Sequence, residues 1–365
     1  MIDQGFTRGQ ITRRRLLGVG GAAGLGLGLV GPSAVLGNVA KASPRYQGKE
    51  YKIAFIQGVV ADNFYITMDC GARAKASQLG GITIDTQGPE QFDATLQTPI
   101  LNAVVQTRPD AIMMAPNDTR AMIAPIKAAI DAGIPVFLVD TTIESDIQLA
   151  DVSTDNVEGG RLAARGLATA IGEKGKVFVI NVKPGISTTD QRERGFAEEI
   201  AKYPNIQYLG QEYCNNDSNR AAEITTARLQ SDPDLAGIFG TNLFAAQGGA
   251  AGVRQAGKQG AVKMVGFDAG PTQVQDLRSK TVDILIAQHP GEIGETAVQL
   301  IADYLKSGTA PSPKQVTTGA TIVTRDNIGD PAMAQYLYVA GCSDYEAAAS
   351  PAAASPVGGE ATPAA

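Results

Sequence analysis

Acidic, amide and aromatic side chains stand side by side in the stretch QGVVADNFYITMDCGA, residues 57–72. Within it, Asp62 and Asn63 are followed directly by Phe64 and Tyr65. Carboxylates and amides can make paired hydrogen bonds to vicinal hydroxyl groups. The flat rings of Phe and Tyr offer an apolar surface against which the C–H face of a sugar ring can pack. This combination favours a binding role, although packing of the two aromatics into the core at a helix start remains the alternative.

Polar residues follow other apolar runs in the same way. Asp140 ends IPVFLVD and Asp268 ends MVGFD, and an ionised carboxylate at the end of a buried run needs partners. Arg192 opens a predicted helix after KVFVINV, and further amides come after the runs GIFGT and LIA, at Asn242 and Gln288. We therefore treat these five residues as candidate ligand contacts.

Three other polar residues at predicted strand-to-helix junctions have a simpler explanation. Asp and Asn at such positions are most often helix N-caps. We favour that interpretation for Asp118, Asn156 and Asp217.

Strands and helices alternate along the part of the chain that carries these candidates. The runs YKIAFIQ, GITIDT, DAIMMAP and IPVFLVD are separated by helical stretches predicted at about 64–79, 92–105 and 119–132. The pattern resumes after about Ser153 with KVFVINV, NIQYLGQEY, LAGIFGTN, AVKMVGFD and VDILIAQ. Short apolar runs between helices are typical of parallel strands covered on both faces. The sequence thus predicts an α/β fold with two doubly wound parallel-sheet lobes, whose functional surface lies at the carboxyl ends of the strands.

The two ends of the chain differ from this pattern. Residues 1–42 predict a twin-arginine-type export signal, with Arg13-Arg14 before an uncharged run and cleavage after Ala42. The expected location is periplasmic or otherwise extracytoplasmic; an uncleaved transmembrane helix is the alternative. No cysteine follows the run, so a lipoprotein is not expected. Residues 343–365, rich in Ala, Pro and Ser, predict a disordered tail.

Composition excludes several classes of function. A net charge of −6 without a basic block argues against a nucleic-acid partner. The three cysteines are too far apart for a C-x-x-C motif; one pair could form a disulfide, or all three could be thiols. No metal-ligand cluster or G-x-S-x-G nucleophile motif occurs, so we expect no metal, no cofactor and no catalytic residue. An enzyme that uses the cleft carboxylates as a glycosidase does is the remaining catalytic alternative.

Several motifs together resemble a known family: ADNFYITMDCGA, IPVFLVD, DVSTDNVEGGRLAA, the R-x-x-G-F of residues 192–196, MVGFDAG and LIAQHPGEIG. These are similar to motifs of the periplasmic sugar-binding proteins of ABC importers, the ribose-binding type within binding-protein type I. The resemblance covers nearly all of residues 51–327. It implies a monomer that captures a small sugar or polyol in an interlobe cleft and delivers it to a membrane permease.

Two other roles use the same fold. A chemosensory sugar receptor subunit, which presents the liganded form to a chemoreceptor, would use the same cleft. Regulators of the lactose-repressor type carry an N-terminal helix-turn-helix, where this chain has the predicted export signal.

The resemblance also implies roles for individual residues. Phe64 and Tyr65 match the aromatic pair that packs on the sugar. The hydrogen-bonding positions retained in type are Asp140, Arg192, Asn242, Asp268 and Gln288.

Four positions depart from the ribose-binding pattern. Asp62 replaces an amide, Ala115 an asparagine, Thr141 an arginine, and Asn216 an aromatic residue. The cleft is therefore expected to be roomier and more acidic than a ribose site. It should suit a different sugar or a polyol and disfavour an anionic ligand.

The family further implies a three-segment hinge, near residues 153–154, 288–289 and 318–319. One lobe would comprise residues 48–153 and 289–318, the other residues 154–288 and 319–330. The only histidine, His289, would lie in the hinge as a structural residue.

Overall fold

The structure, a computed structural model, describes residues 48–349. The predicted export signal, its cleavage site and residues 350–365 of the predicted tail lie outside the described residues. Among the described residues, no helix is both long and apolar enough to cross a membrane.

The first lobe is built on a six-stranded sheet in the order β11-β5-β4-β3-β1-β2. Its strands are β1 (Tyr51–Ile56), β2 (Ile82–Gln87), β3 (Ala111–Met114), β4 (Val136–Val139), β5 (Ala150–Thr154) and β11 (Gln315–Thr318). All of these strands pair in parallel. Every residue of β3 and β4 is buried, as expected for central strands covered on both faces.

Four helices cover this sheet. They are α1 (Asn63–Leu79), α2 (Ala94–Thr107), α3 (Ile123–Asp131) and α9 (Pro290–Ser307). Helices α1 and α9 approach closely because glycines lie at the contact: a Cβ on Gly71 would stand 2.2 Å from Gly291 O. This close packing fixes the start of α1, which carries the aromatic pair.

The second lobe repeats the same strand order, β12-β10-β9-β8-β6-β7. Its strands are β6 (Gly175–Asn181), β7 (Ile206–Tyr213), β8 (Leu235–Gly240), β9 (Lys263–Phe267), β10 (Ile284–Gln288) and β12 (Ala320–Val323). Only the outer strand β12 is antiparallel to its neighbour. The covering helices are α4 (Asn156–Ala170), α5 (Ser187–Ile200), α6 (Ser218–Ser231), α7 (Leu243–Gln255) and α8 (Pro271–Arg278). The prediction of two parallel-sheet α/β lobes is confirmed.

The chain passes between the lobes at three places. These lie after β5, between β10 and α9, and between β11 and β12, at Asp155, His289 and Gly319. His289 is held by hydrogen-bond contacts from its ring nitrogens to Glu292 and Thr321, at 3.1 and 2.9 Å.

A further segment follows β12. It consists of a 3-10 helix (Pro331–Tyr336) and a last helix, α10 (Cys342–Ala349). Cys342 forms a disulfide with Cys70 of α1, whereas Cys214 is a buried free thiol. The prediction of disorder from residue 343 is therefore wrong for residues 343–349. The start of this helix is attached to the first lobe by the disulfide to α1 and by a hydrogen bond from the Tyr345 hydroxyl to Glu295 of α9.

Candidate functional site

A cavity of about 400 Å³ lies between the carboxyl ends of the two sheets. Both lobes line it, and the residues are Asp62, Phe64, Tyr65, Phe92, Asp140, Val182, Ile186, Thr188, Thr189, Arg192, Asn216, Asn242, Asp268 and Gln288. Nine of the ten predicted site residues are thus brought together around one space.

The lobes meet along the rim of this cavity. Lys183 Nζ of the second lobe donates to Phe92 O of the first across 3.0 Å. Thr142 N donates to Ser187 Oγ across 3.0 Å, and a backbone hydrogen bond of 3.1 Å joins Thr119 N to Gly185 O. The structure therefore shows the lobes closed over the cavity.

Three of the lining residues have left-handed backbone conformations at strand ends. The φ angles are 61° at Asp140, 60° at Asn216 and 78° at Asp268. Non-glycine residues rarely adopt such angles, and Asp and Asn tolerate them best. Backbone strain of this kind concentrates at functional sites, where it aims a side chain that a regular strand would turn elsewhere.

The first lobe supplies the aromatic wall. Phe64 and Tyr65 are both buried, with ring centroids 5.1 Å apart in an edge arrangement. Asp62 caps α1 by accepting a 2.9 Å hydrogen bond from Phe64 N, and it also lines the cavity. The Tyr65 hydroxyl donates to Asp140 Oδ2 across 2.7 Å. Phe64 and Tyr65 therefore pack in the hydrophobic core and line the cavity at the same time.

Arg192 is the buried cation of the second lobe. Its Nε donates to Asn156 Oδ1 across 2.9 Å and its Nη1 to Thr241 O across 3.0 Å. The guanidinium stacks on Phe267, 3.9 Å from the ring centroid. Within residues 48–349, Nη2 is buried without a hydrogen-bond partner, so it is the donor that a ligand oxygen can use.

Asp268 is held by neighbours from the chain crossing. Gln288 Nε2 donates to Asp268 Oδ1 across 2.7 Å, and Thr154 Oγ1 donates to Gln288 Oε1 across 2.8 Å. On the same lobe, Asn242 Nδ2 donates to Asn216 Oδ1 across 2.6 Å. The polar residues of this wall are therefore fixed by one another before any ligand binds.

Burial dominates the electrostatics of the carboxyl groups. It raises the pKa of Asp62 to about 7, and the nearby negative charge of Asp268 adds to the effect. Burial also raises the pKa of Asp140 to about 6, although Arg192 and the hydrogen bond from Tyr65 act in the opposite direction. Near neutral pH the Asp62 carboxyl is thus partly protonated and can donate as well as accept, whereas the Asp140 carboxyl is mostly ionised and accepts.

Thr141 is the predicted site residue that the structure does not bring to the cavity. Its side chain is buried, and its hydroxyl donates to Pro116 O across 2.8 Å. The residue after Asp140 points away from the cleft because the chain turns there and gives the hydroxyl a backbone acceptor.

Several lining residues were missed from the sequence. Thr188 and Thr189 precede Arg192 by four and three residues on α5, so helical spacing from Arg192 could have identified them. Phe92, Val182 and Ile186 lie in irregular segments, where periodicity carries no signal. Tyr338 does not line the cavity, but its hydroxyl donates to the lining residue Asp268, at Oδ1, across 2.8 Å; it too was missed, because it lies beyond the regular α/β pattern.

The fold has counterparts in known proteins. A solute-binding protein of an ABC transporter from Agrobacterium vitis, solved with bound alpha-D-tagatopyranose, is 46% identical, with a TM-score of 0.77. The match covers 80% of this chain and 100% of that one. A second A. vitis solute-binding protein, solved with D-fucose, is 30% identical with a TM-score of 0.75, over 79% of this chain and all of that one. The ribose import binding protein of Bacillus subtilis is 27% identical over 73% of this chain and 85% of its own length.

These relatives are binding proteins of transport systems, not enzymes. The periplasmic binding protein domain family matches residues 53–310, which comprise most of both sheets and the whole cavity lining. With its two parallel-sheet lobes, the chain belongs to the periplasmic binding protein domain family.

Proposed function

We propose that this protein is an extracytoplasmic solute-binding protein that captures a neutral sugar or polyol between its lobes and delivers it to an ABC importer permease. The observation that carries this proposal is the composition of the cavity wall. A buried aromatic pair stands beside three carboxyls and one arginine with a free donor. Such a wall matches a ring with an apolar C–H face and a rim of hydroxyl groups.

The charge of the wall selects against anions. Asp62, Asp140 and Asp268 line the cavity with Arg192 as the one cation among the lining residues, so an anionic ligand would meet net repulsion above about pH 7, where Asp62 is ionised. Hydroxyl groups can donate to the carboxylates and accept from Arg192. A pyranose is the ligand class we propose, and D-tagatose is the first candidate because the 46% identical A. vitis protein was solved with it.

The remaining parts of the proposal concern location and motion. Residues 1–42 would direct export and be cleaved after Ala42. The lobes, residues 48–153 with 289–318 and residues 154–288 with 319–330, would open and close about the three crossings. The protein would work as a monomer; presentation to a chemoreceptor would use the same closed form.

A binding screen tests the ligand class. The protein without residues 1–42 is heated with D-tagatose, D-fucose, D-arabinose, ribose, allose and polyols, and the melting temperature is recorded. A ligand at about 100 times its Kd should stabilise by about 2.7 kcal/mol, a shift of several degrees. Calorimetry on each hit then gives the Kd. If amino acids or nucleosides raise the melting temperature while sugars and polyols do not, the proposed ligand class is wrong.

Delivery is tested in cells. Uptake of the radiolabelled sugar identified by the screen is compared in wild-type cells and in cells that lack this protein. Loss of high-affinity uptake, restored by the wild-type gene, supports delivery to a permease. Unchanged uptake together with lost chemotaxis toward the same sugar would favour the sensory role instead.

A further inference from the structure

Residues 331–349 form a segment that we call the C-terminal strap. It follows the last strand of the second lobe and ends on the first lobe. The strap lies beyond residues 53–310, which the family comparison matches.

Two consecutive residues of the strap bind opposite lobes. Tyr338 N donates to Ala269 O of the second lobe across 3.0 Å. Val339 N donates to Thr67 Oγ1 of α1 across 3.0 Å, and Val339 O accepts from Asn63 Nδ2 across 3.0 Å. The strap thus ties the segment after Asp268 to the helix that begins at the aromatic wall.

The side chain of Tyr338 contacts the lining residue Asp268 without lining the cavity itself. It is 4% exposed, and its hydroxyl donates to Asp268 Oδ1 across 2.8 Å while accepting from Gln288 N across 3.1 Å. Its ring centroid lies 5.8 Å from that of Phe64. Burial raises the pKa of Tyr338 well above its usual value, so the hydroxyl stays protonated as a donor.

Asp268 therefore has one oxygen occupied by the protein. Oδ1 accepts from both Tyr338 Oη and Gln288 Nε2, at 2.8 and 2.7 Å. In the part of the chain that the structure describes, Oδ2 has no such side-chain donor. Two donors on one oxygen fix the carboxylate plane and leave the other oxygen for the ligand.

Covalent and packing contacts hold the strap in place. Cys342 is bonded to Cys70 on α1, and the Tyr345 hydroxyl donates to Glu295 Oε1 of α9 across 2.9 Å. Tyr336 stacks on His289 at a chain crossing, with ring centroids 4.5 Å apart. The strap is thus anchored on the first lobe and at the crossing, while Tyr338 reaches into the second lobe.

We propose that the C-terminal strap is a fourth connection between the lobes, in which Tyr338 positions Asp268 for the ligand and the Cys70–Cys342 disulfide keeps Tyr338 in place. Tyr338 is a positioning residue, since it acts through Asp268. The proposal rests on the proposed function for its effect on affinity. Its structural part, the docking of the strap, does not depend on any ligand.

The first experiment measures affinity with D-tagatose, or with the first sugar that the screen identifies if D-tagatose does not bind. Tyr338→Phe removes a hydrogen bond to a charged group and should raise the Kd by about tenfold or more. Tyr336→Phe is the matched control on the same strap, and its Kd should stay within about twofold of wild type. Equal Kd values for Tyr338→Phe and wild type would overturn the positioning role.

A double-mutant cycle separates positioning from general stability. If Tyr338 acts through Asp268, then Tyr338→Phe should change the Kd little further in an Asp268→Gly background, which lacks the carboxylate that Tyr338 positions and tolerates the left-handed backbone there. Additive losses would show that Tyr338 acts on the protein as a whole, and would overturn the proposal. Melting temperatures of the ligand-free variants are measured alongside.

The second experiment needs no ligand. Gln288 N donates to the Tyr338 hydroxyl, so Tyr338→Phe should speed hydrogen exchange of the Gln288 amide. Cys342→Ser should speed exchange of the Val339 amide and raise the Kd, whereas the control Cys214→Ser, at a buried free thiol, should leave the strap amides protected. If exchange of the Gln288 amide in Tyr338→Phe and of the Val339 amide in Cys342→Ser is unchanged, the proposed docking of the strap is wrong. Wild-type protein that binds no sugar, but shows the expected exchange, would refute the proposed function alone.

Discussion

The hydroxyl of Tyr65 donates to Asp140 Oδ2 across 2.7 Å, and both side chains are buried at the cavity. Tyr65 lies in the first turn of α1, whereas Asp140 has a left-handed backbone conformation just after β4. The hydrogen bond lowers the pKa of Asp140, against the larger effect of burial that raises it. This hydrogen bond thus connects the aromatic pair of the cavity wall to one of its carboxyl groups.

Removing this donor should weaken ligand binding. In Tyr65→Phe, Asp140 loses a hydrogen bond, so the cost of its buried charge grows and its orientation is no longer fixed. We expect the Kd for the sugar to rise by about tenfold, measured by calorimetry. Tyr203→Phe in the second lobe is the control, because Tyr203 packs against the core outside the cavity. If the Kd is unchanged in Tyr65→Phe, the hydrogen bond from Tyr65 to Asp140 does not contribute to ligand binding.

The raised pKa of Asp62, about 7, predicts a pH-dependent stability of the ligand-free protein. The unfolded pKa is about 3.9, so the folded state binds the extra proton between about pH 4 and pH 7. The contribution of Asp62 to stability is full below pH 4 and is lost as the pH rises through about 7. Asp62→Asn keeps an N-cap acceptor but does not titrate. Its stability relative to wild type should therefore increase by roughly a few kcal/mol from pH 5 to pH 8.

The control for this experiment is Asp93→Asn. Asp93 caps α2 of the same lobe, and hydrogen bonds from Thr95 lower its pKa. Asp93 is ionised in both the folded and the unfolded state above about pH 5. The stability difference between Asp93→Asn and wild type should therefore not change with pH from pH 5 to pH 8. Denaturant titrations at each pH measure both differences. A flat difference for Asp62→Asn as well would show that Asp62 stays ionised in the folded state.

Asp268→Asn tests whether ligand binding needs the carboxylate of this residue, because asparagine has nearly the same shape without the negative charge. Asparagine tolerates the left-handed backbone at this position, where φ is 78°, and its carbonyl oxygen can still accept from Gln288 and Tyr338. The variant should fold normally but bind sugar at least about tenfold more weakly, since a carboxylate acceptor is replaced by an amide. Asp217→Asn, at the N-cap of α6 on the same lobe, should bind as wild type does. Calorimetry and circular dichroism check affinity and folding; wild-type affinity in Asp268→Asn would remove it from the site.

The close packing of α4 against α5 at Gly160 should affect ligand binding as well as stability. A Cβ at this position would stand 2.0 Å from Arg192 O, so Gly160→Ala must push α5 away from α4. We expect a loss of about 1–3 kcal/mol in the free energy of unfolding and weaker sugar binding, because α5 carries Arg192. Gly166→Ala on the same helix would meet only the side chain of Ile284, whose flexible end, Cδ1, would lie 2.9 Å away. Its stability should stay within about 1 kcal/mol of wild type, as chemical denaturation can measure.

The sequence predicted the lobes and most of the cavity wall because one rule governs both. Polar residues directly after apolar strands meet at one edge of a parallel sheet, and Asp62, Asp140 and Asp268 all obey it. The rule failed for Thr141, where the turn after Asp140 gives the hydroxyl a backbone acceptor.

Other features lie outside what periodicity can detect. Tyr338 reaches Asp268 from a segment without strand or long-helix pattern, 70 residues away in sequence. The pairing of Cys70 with Cys342 depends on where α10 packs, which cysteine spacing alone cannot specify. Residues whose role depends on long-range packing of irregular chain could therefore not be predicted.

The bond between Cys70 and Cys342, 272 residues apart, closes a covalent ring that contains the second lobe, most of the first lobe and all three chain crossings. A protease that cuts one exposed loop inside this ring cannot separate the protein into two pieces. The nicked chain would keep its lobes joined and would migrate as one band on a gel until the disulfide is reduced. For a protein proposed to work outside the cytoplasm, among secreted proteases, a single cleavage would then leave the cavity assembled.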